Sequence, residues 1–416
     1  MAIGKKNIWV YAHWFGLFEP KLIGTLSAQQ GKGRKSFSFE YNQNWLRSEK
    51  PVLLDPDISW GGGAQYPKGK DNFGMFMDTM PDTWGRTLMK RRAAQTAMEA
   101  GKPTPNLYDL DFLLGVNDES RMGALRFKLE QEGPFMNNDP YSPIPPWSSI
   151  RELQHASTAL ESDKDGKAIR KWLAILLAPG SSLGGARPKA NIVDEQGHPW
   201  IAKFPSKNDV IDKGAWEYLV YKLALKAKIV MAESRMEKVT GNHHTFFTKR
   251  FDRLNGGRVH FASAMTMTGN NEDTIRDHPS SYLALAEFIQ FSGVDIAENL
   301  QQLWRRIVFN IAVSNTDDHL RNHGFLLHKE GWILSPAYDM NPSIDKDGLS
   351  LNIDSENNAL DFELAKTVGE YFALKPKQME AIISEVKTSV KDWKKLAKGI
   401  GISREEQELM SGAFRI

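Results

Sequence analysis

The chain has 416 residues, with 53 Lys and Arg against 51 Asp and Glu and no cysteine. The missing cysteines exclude disulfides and thiolate-held metals, and the net charge of +2 gives no bulk reason to expect nucleic acid. At 41% hydrophobic residues the chain can bury real cores, its length implies two or three domains, and it has no run of about 18 apolar residues to span a membrane.

The first third reads as a small α+β domain. Lys5-Lys6 ahead of the apolar run Ile8–Phe18 has the outline of a signal peptide. His13 interrupts that run and no small-residue cleavage site precedes Glu19-Pro20, so it reads as a strand. Ile8–Trp14, Leu22–Leu26 and Ser36–Tyr41 are aromatic-rich strand candidates, followed by a Gly/Pro loop from Trp60 to Pro67. Met75–Met98 reads as mostly helix, with Pro81-Asp82-Thr83 as a start signal. Its Lys90-Arg-Arg92 cluster reads first as a solvated helix face and second as a contact for nucleic acid or a partner. Leu107–Leu114 follows as a short helix, and Arg121–Lys128 as a strand entered through Gly123.

Residues 131–147 carry dense turn chemistry, including Pro143-Ile-Pro-Pro146, and mark a domain boundary. Helices at Ser148–Leu160 and Ala168–Leu177 lead to a Gly-rich loop. Lys189–Val193 and Trp200–Phe204 are strands around the turn Asp194-Glu-Gln-Gly197. Trp216–Lys226 is a helix, and Arg235–Val239, Thr245–Phe251 and His260–Met265 are strands. Helices at Ser281–Phe291 and Ile296–Ser314 follow, the second with a stripe of Leu303, Ile307, Ile311 and Ala312. Strands Gly324–His328 and Trp332–Leu334 precede a mostly helical stretch from Phe362 to Leu396.

The most informative segment is Asn315-Thr-Asp-Asp-His-Leu-Arg-Asn322, followed by Ala337-Tyr-Asp339. An Asp and an Asn four residues apart, with a further Asp downstream, is the catalytic-loop spacing of protein kinases. Asp317 is the candidate to meet an attacking hydroxyl, and Asn322 and Asp339 are the candidates to hold Mg²⁺. Upstream, Ser181-Ser-Leu-Gly-Gly-Ala-Arg-Pro-Lys189 lets backbone N–H groups approach a phosphate, with Arg187 and Lys189 adding charge; on composition it is equally a tight loop after a helix. Lys203 in Trp200-Ile-Ala-Lys-Phe-Pro205 is placed like the strand lysine of a kinase, with Glu217 on the next helix as a possible partner, or it is an ordinary snorkelling lysine. Lys249-Arg-Phe-Asp-Arg253 either joins two lobes and faces an adenine, or is a strand end with surface charges. Asp318 and His319 are ambiguous. With His323 they also read as a transition-metal set, for which His243-His244 is the one other histidine cluster. Tyr338 is expected to pack under the metal loop.

These motifs, together with Met80-Pro-Asp-Thr83, Phe112-Leu-Leu-Gly115 and Gly123-Ala124, resemble the HipA family over residues 5–400. That family comprises the serine/threonine kinase toxins of bacterial HipBA toxin–antitoxin modules. The resemblance implies an α+β, bilobed protein-kinase-like fold with an extra N-terminal α+β subdomain over 1–135. The kinase-like domain would cover 145–400, its small lobe about 145–255 and its large helical lobe about 256–400, with a tail at 401–416. It implies ATP and Mg²⁺ as cofactors. Asp317 would be catalytic and Asn322 and Asp339 the metal ligands, with Gly184, Gly185, Ala186, Lys189, Lys203, Lys249, Phe251 and His319 at the nucleotide. Ser182, or alternatively Ser181, would be the autophosphorylation site, where a phosphate would repel the nucleotide and expel the loop. The implied substrate is a translation protein of the aminoacyl-tRNA synthetase kind. The implied partner is a HipB-like helix-turn-helix antitoxin on a separate chain, reaching operator DNA through that complex, in the cytoplasm. Arg321 and Asp318 stand where the best-known member has Lys and Gly, which separates the substrate question from the kinase one. The competing functions are a small-molecule kinase of aminoglycoside-phosphotransferase type and a catalytically inactive corepressor bound to a DNA-binding antitoxin.

Overall fold

The computed structural model describes residues 5–31, 34–138, 144–162, 173, 176 and 185–416. Its contacts divide the chain into two compact units, one of Met1–Lys207 with Arg250–Ala262, the other of Asn208–Lys249 with Ser263–Ile416. The residues expected to form one small lobe, 145–255, are therefore shared between both units. No helix among the described residues is long and apolar enough to cross a membrane.

The first unit is built on a four-stranded antiparallel sheet of β1 (Lys6–Ala12), β2 (Lys21–Gly31), β3 (Arg34–Tyr41) and β4 (Leu125–Lys128), in the order β3-β2-β1-β4. Alternation decides which face is covered. Ile8, Val10 and Ala12 of β1, Leu26 and Ala28 of β2, and Phe37 and Phe39 of β3 enter one core with Phe73, Phe76 and Leu113. Gly24 is required where β2 meets β3, because a Cβ there would lie 2.4 Å from the Glu40 carbonyl oxygen. The long helix begins at Thr83 rather than near Met75, running Thr83–Glu99 after a separate turn at Gly74–Met77. Asp82 caps it by accepting from Gly85 N at 2.8 Å.

The strand expected from Arg121 starts only at Leu125. Arg121 instead turns inward, and its guanidinium donates to the carbonyls of Leu113 (2.8 Å), Val116 (3.0 Å) and Thr79 (3.2 Å). A second buried ionic cluster involves Arg250, Asp252 and Arg253. Asp252 Oδ2 accepts from Arg250 and Arg253 at 2.6 Å each and from Gly123 N at 2.7 Å. Burial alone would raise the Asp252 carboxyl, but the two guanidinium groups overcome it and hold it at about 2. These charges are interior ones, which corrects the reading of 249–253 as a strand end with surface charges. The hairpin of β5 (Lys189–Val193) and β6 (Pro199–Lys203) forms as expected, closed by Asp194 accepting from the backbone N–H groups of Gln196 and His198.

The second unit is mainly helical. Strands Ser234–Glu237 and Thr245–Lys249 pair antiparallel, as do Gly324–His328 and Gly331–Leu334. The strand expected at His260–Met265 stops at Ser263, whose hydroxyl caps a short helix at Ala264–Met267. Helix Ile296–Val313 carries the anticipated stripe: Leu303, Ile307, Ile311 and Ala312 are all fully buried. Residues 401–416 are not a loose tail. They form helix Arg404–Leu409 and a 3₁₀ turn, and Phe414 stacks on Trp393 at 4.1 Å. The Arg415 N–H donates to the Ala312 carbonyl at 2.8 Å.

Candidate active site

The second unit holds Asp317, Asn322 and Asp339. Helix Ile296–Val313 ends in Ser314, which takes the left-handed conformation (φ 49°) and releases the chain into the loop. Asn315 locks that exit: its Nδ2 donates to Asn310 Oδ1 at 3.0 Å and its Oδ1 accepts from Asn341 N at 3.2 Å. Ser350 Oγ then donates to the Thr316 carbonyl at 2.7 Å.

The two aspartates that follow have opposite fates. The Asp317 side chain is 78% exposed, with Lys346 Nζ 3.9 Å from its Oδ1. Asp318 is buried, and its Oδ2 accepts from Tyr282 OH (2.5 Å), Asn310 Nδ2 (2.8 Å) and His323 Nε2 (2.8 Å). Burial pushes its carboxyl up, but His323 and the Tyr282 hydrogen bond outweigh that and leave it below the usual range. Burial and Asp318 together push the Tyr282 phenol well above its ordinary value. Asp318 and His323 are thus partners in an internal network, which removes the transition-metal reading. His244 is engaged too, with Nδ1 2.5 Å from Asp212 Oδ2. Among the described residues no group of three or more His, Cys, Asp or Glu is placed to hold a metal ion.

After Asp318 a 3₁₀ turn, Leu320–Asn322, brings Asn322 back toward Asp317. Asn322 Nδ2 donates to the Asp317 carbonyl at 3.1 Å, which fixes the amide plane. Its Oδ1 is buried and has no hydrogen-bond partner among the described residues, and the residue is only 4% exposed. A desolvated acceptor of this kind costs about 1–3 kcal/mol unless something bonds to it. A hard cation that prefers oxygen ligands fits it. Asp339, half-buried, sits at φ 58°, a strained conformation that Asp tolerates better than most residues. Tyr338 OH donates to the Arg321 carbonyl at 2.8 Å, so Tyr338 braces the loop as expected. His319 is partly buried on the same loop.

The first unit holds most of the other candidates. Ser181, Ser182 and Gly184 lie outside the described residues; Gly185 and Ala186 are exposed. Lys189 is ion-paired within the unit. Its Nζ lies 2.8 Å from Asp82 Oδ2 and 3.3 Å from the Gly185 carbonyl, so a carboxylate already balances its charge. Lys203 is buried at the end of β6, and the Phe251 ring packs on Phe261 at 6.0 Å. Glu217 is buried on helix Lys213–Lys226, and Lys249 Nζ lies 3.5 Å from Glu233 Oε2, both in the second unit. The residues that the sequence motifs missed are Tyr282 and Asn310, which hold Asp318, and Asp82, which had been read only as a helix start.

The model of the HipA-like C-terminal domain matches residues 181–393. A search of the curated proteins finds no match. Among solved structures, the chain is similar to one in the Shewanella oneidensis MR-1 toxin–antitoxin system HipA, HipB and operator DNA complex. The TM-score is 0.65 at 16% identity, covering 98% of this chain and 94% of that one. It is also matched to the Helicobacter pylori proinflammatory kinase CtkA, with a TM-score of 0.34 and 10% identity over 49% of this chain and 90% of that one. The first likeness is one of fold, consistent with the expected α+β, kinase-like class; the second is too distant to carry an argument.

Proposed function

This chain belongs to the family with the HipA-like C-terminal domain, and from that premise we propose that it is an ATP- and Mg²⁺-dependent serine/threonine protein kinase, the toxin of a HipBA-type module. The observation that carries the reading is the Asn322 amide: its nitrogen is tied to the backbone of Asp317, whose side chain is open to solvent, while its buried oxygen has no hydrogen bond among the described residues. ATP supplies the phosphoryl group when bound, and Mg²⁺ supplies charge neutralisation to its oxygens.

The chain's own residues do the rest. Asp317 would accept the hydrogen bond of a substrate Ser or Thr hydroxyl and take its proton as the terminal phosphoryl group passes to that oxygen, its bond to the bridging oxygen breaking and ADP leaving. Its exposure suits a macromolecular substrate better than an enclosed small one. Asn322 and Asp339 would hold the metal through oxygen. On the family resemblance, Lys203 and the backbone of Gly184, Gly185 and Ala186 would stabilise phosphate charge, and Lys249, Phe251 and His319 would be the residues toward the nucleotide. Asp318 keeps Asp317 and Asn322 in register by anchoring the stretch between them to Tyr282, Asn310 and His323.

Ser182, or Ser181, is the proposed autophosphorylation site. The proposed protein substrate is a translation factor of the aminoacyl-tRNA synthetase class. The proposed partner is a HipB-like antitoxin that carries the complex to operator DNA; the fold shared with a HipA–HipB–DNA assembly supports this. Incubation with labelled ATP and lysate, followed by phosphosite mapping, tests the proposal. Asp317→Ala is expected to lose more than about a hundredfold in rate, the scale of a positioned acid–base group. Turnover near wild type in that variant would remove Asp317 from the mechanism, and a labelled small molecule without any phosphoprotein would favour the aminoglycoside-kinase type.

A further inference from the structure

β5 and β6 place Lys189 and Lys203 directly opposite each other. Phe204 N donates to the Pro188 carbonyl at 2.9 Å, so the preceding pair, Lys189 and Lys203, is of the non-hydrogen-bonded kind. Side chains in such pairs share a face and stand closest together. Both lysines are buried, at 5% and 9% exposed. Like charges set directly opposite repel, and burial strengthens the repulsion.

A counter-charge comes from the start of helix Thr83–Glu99. Asp82 Oδ2 lies 2.8 Å from Lys189 Nζ, with both side chains shielded from water. Asp82 Oδ1 meanwhile caps the helix through Gly85 N at 2.8 Å. The same helix start is stitched to β5 at one point and to the loop before it at another. Trp84 Nε1 donates to the Lys189 carbonyl at 3.0 Å, and Trp84 N donates to the Gly185 carbonyl at 3.4 Å. One carboxylate therefore fixes a helix start and a strand lysine at once, using a different oxygen for each.

We infer that Asp82 is a positioning residue of the nucleotide site: by neutralising Lys189 it relieves Lys203 of a like-charged neighbour, and Lys189 is a structural cation rather than a phosphate ligand. This rests on the kinase reading, in which Lys203 bears on phosphate.

The test uses the full chain in four forms: wild type, Asp82→Asn, Lys189→Met and the double variant. Asparagine caps a helix as well as aspartate, so Asp82→Asn isolates the charge. Binding of a fluorescent ATP analogue with Mg²⁺, steady-state KM and kcat, and nucleotide-free melting are measured. Asp82→Asn is expected to weaken nucleotide binding about tenfold, the scale of one charge-assisted bond. The loss should appear in KM rather than kcat. Lys189→Met should cost no more than about threefold, the double variant should recover to the same level, and Asp82→Glu should retain near-normal affinity. Tenfold loss in Lys189→Met alone, a double variant as weak as Asp82→Asn, or no effect of Asp82→Asn overturns the inference. Wild type that binds no nucleotide overturns the kinase reading instead. Charge balance is then judged by melting alone, where a Tm lowered by Asp82→Asn and restored in the double variant upholds it and any other pattern ends it.

Discussion

Replacing Asp318 with asparagine tests whether the buried network, rather than the exposed carboxylate beside it, gives the loop its shape. Three donors end on the single oxygen Oδ2: Tyr282 OH, Asn310 Nδ2 and His323 Nε2, at 2.5 to 2.8 Å. A bond to a charged acceptor contributes about 1.5–3 kcal/mol net and a neutral one about 0.5–1.5, so neutralising the acceptor costs roughly 1 kcal/mol per bond and about 3 in all. An amide is cheaper to bury than a carboxylate, which offsets part of that loss and leaves about 2 kcal/mol. Urea unfolding followed by tryptophan fluorescence at pH 7 measures the difference. Turnover should fall at least tenfold in the same variant, because Asp317 and Asn322 flank the anchor and small displacements of catalytic groups are costly. A variant that melts with wild type and turns over at the wild-type rate would refute the anchoring argument.

Asn322→Leu should separate stability from function. It removes a desolvated acceptor with no hydrogen bond among the described residues and, with it, the donor to the Asp317 carbonyl; the gain and the loss oppose each other, so stability should stay within about 1 kcal/mol of wild type while Mg²⁺-dependent stabilisation by ATP disappears; thermal melts with and without Mg·ATP check this. His260 makes the first unit acid-sensitive. It is buried against the Trp14 ring, at 5.4 Å, and burial pushes its imidazole down to about 3. The unfolded chain takes up a proton near pH 6.5 that the folded chain refuses, so this group costs stability as pH falls below 6.5. From pH 7 to pH 5 the loss is about 2 kcal/mol by linkage. Asp252 and Asp318, whose depressed carboxyls matter only below about pH 4, contribute nothing in that interval. Urea melts at the two pH values should show less than half of this loss in His260→Leu or His260→Gln; an equal loss in wild type and variants would exclude His260 as the cause.

What could be read from the sequence was local. The β5–β6 hairpin announces itself through Asp194-Glu-Gln-Gly197, because turn chemistry acts over four residues. The stripe on helix Ile296–Val313 follows from helical period alone. The spacing of Asp317 and Asn322 needs only a short loop, and the structure joins them through a bond five residues long in sequence. What stayed hidden was paired across distance. Arg250 and Asp252 look like surface charges until residues 130 and 129 positions away supply partners, Ser120 for Arg250 and Gly123 for Asp252. Lys189 reads as a free cation beside glycines because nothing nearby in sequence announces Asp82, 107 residues earlier. Asp317 and Asp318 are identical letters, and only the donors on helices Tyr282–Ser292 and Ile296–Val313 decide which one turns inward.

The bond from Arg415 to Ala312 has a practical corollary. Arg415 Nε also reaches Ser314 Oγ at 3.2 Å, at the left-handed hinge where the chain leaves its helix for Asn315. Arg415 thus clamps the exit of helix Ile296–Val313 with one backbone and one side-chain bond, and Arg415→Ala would loosen the turn into Asn315 without touching any residue of the site.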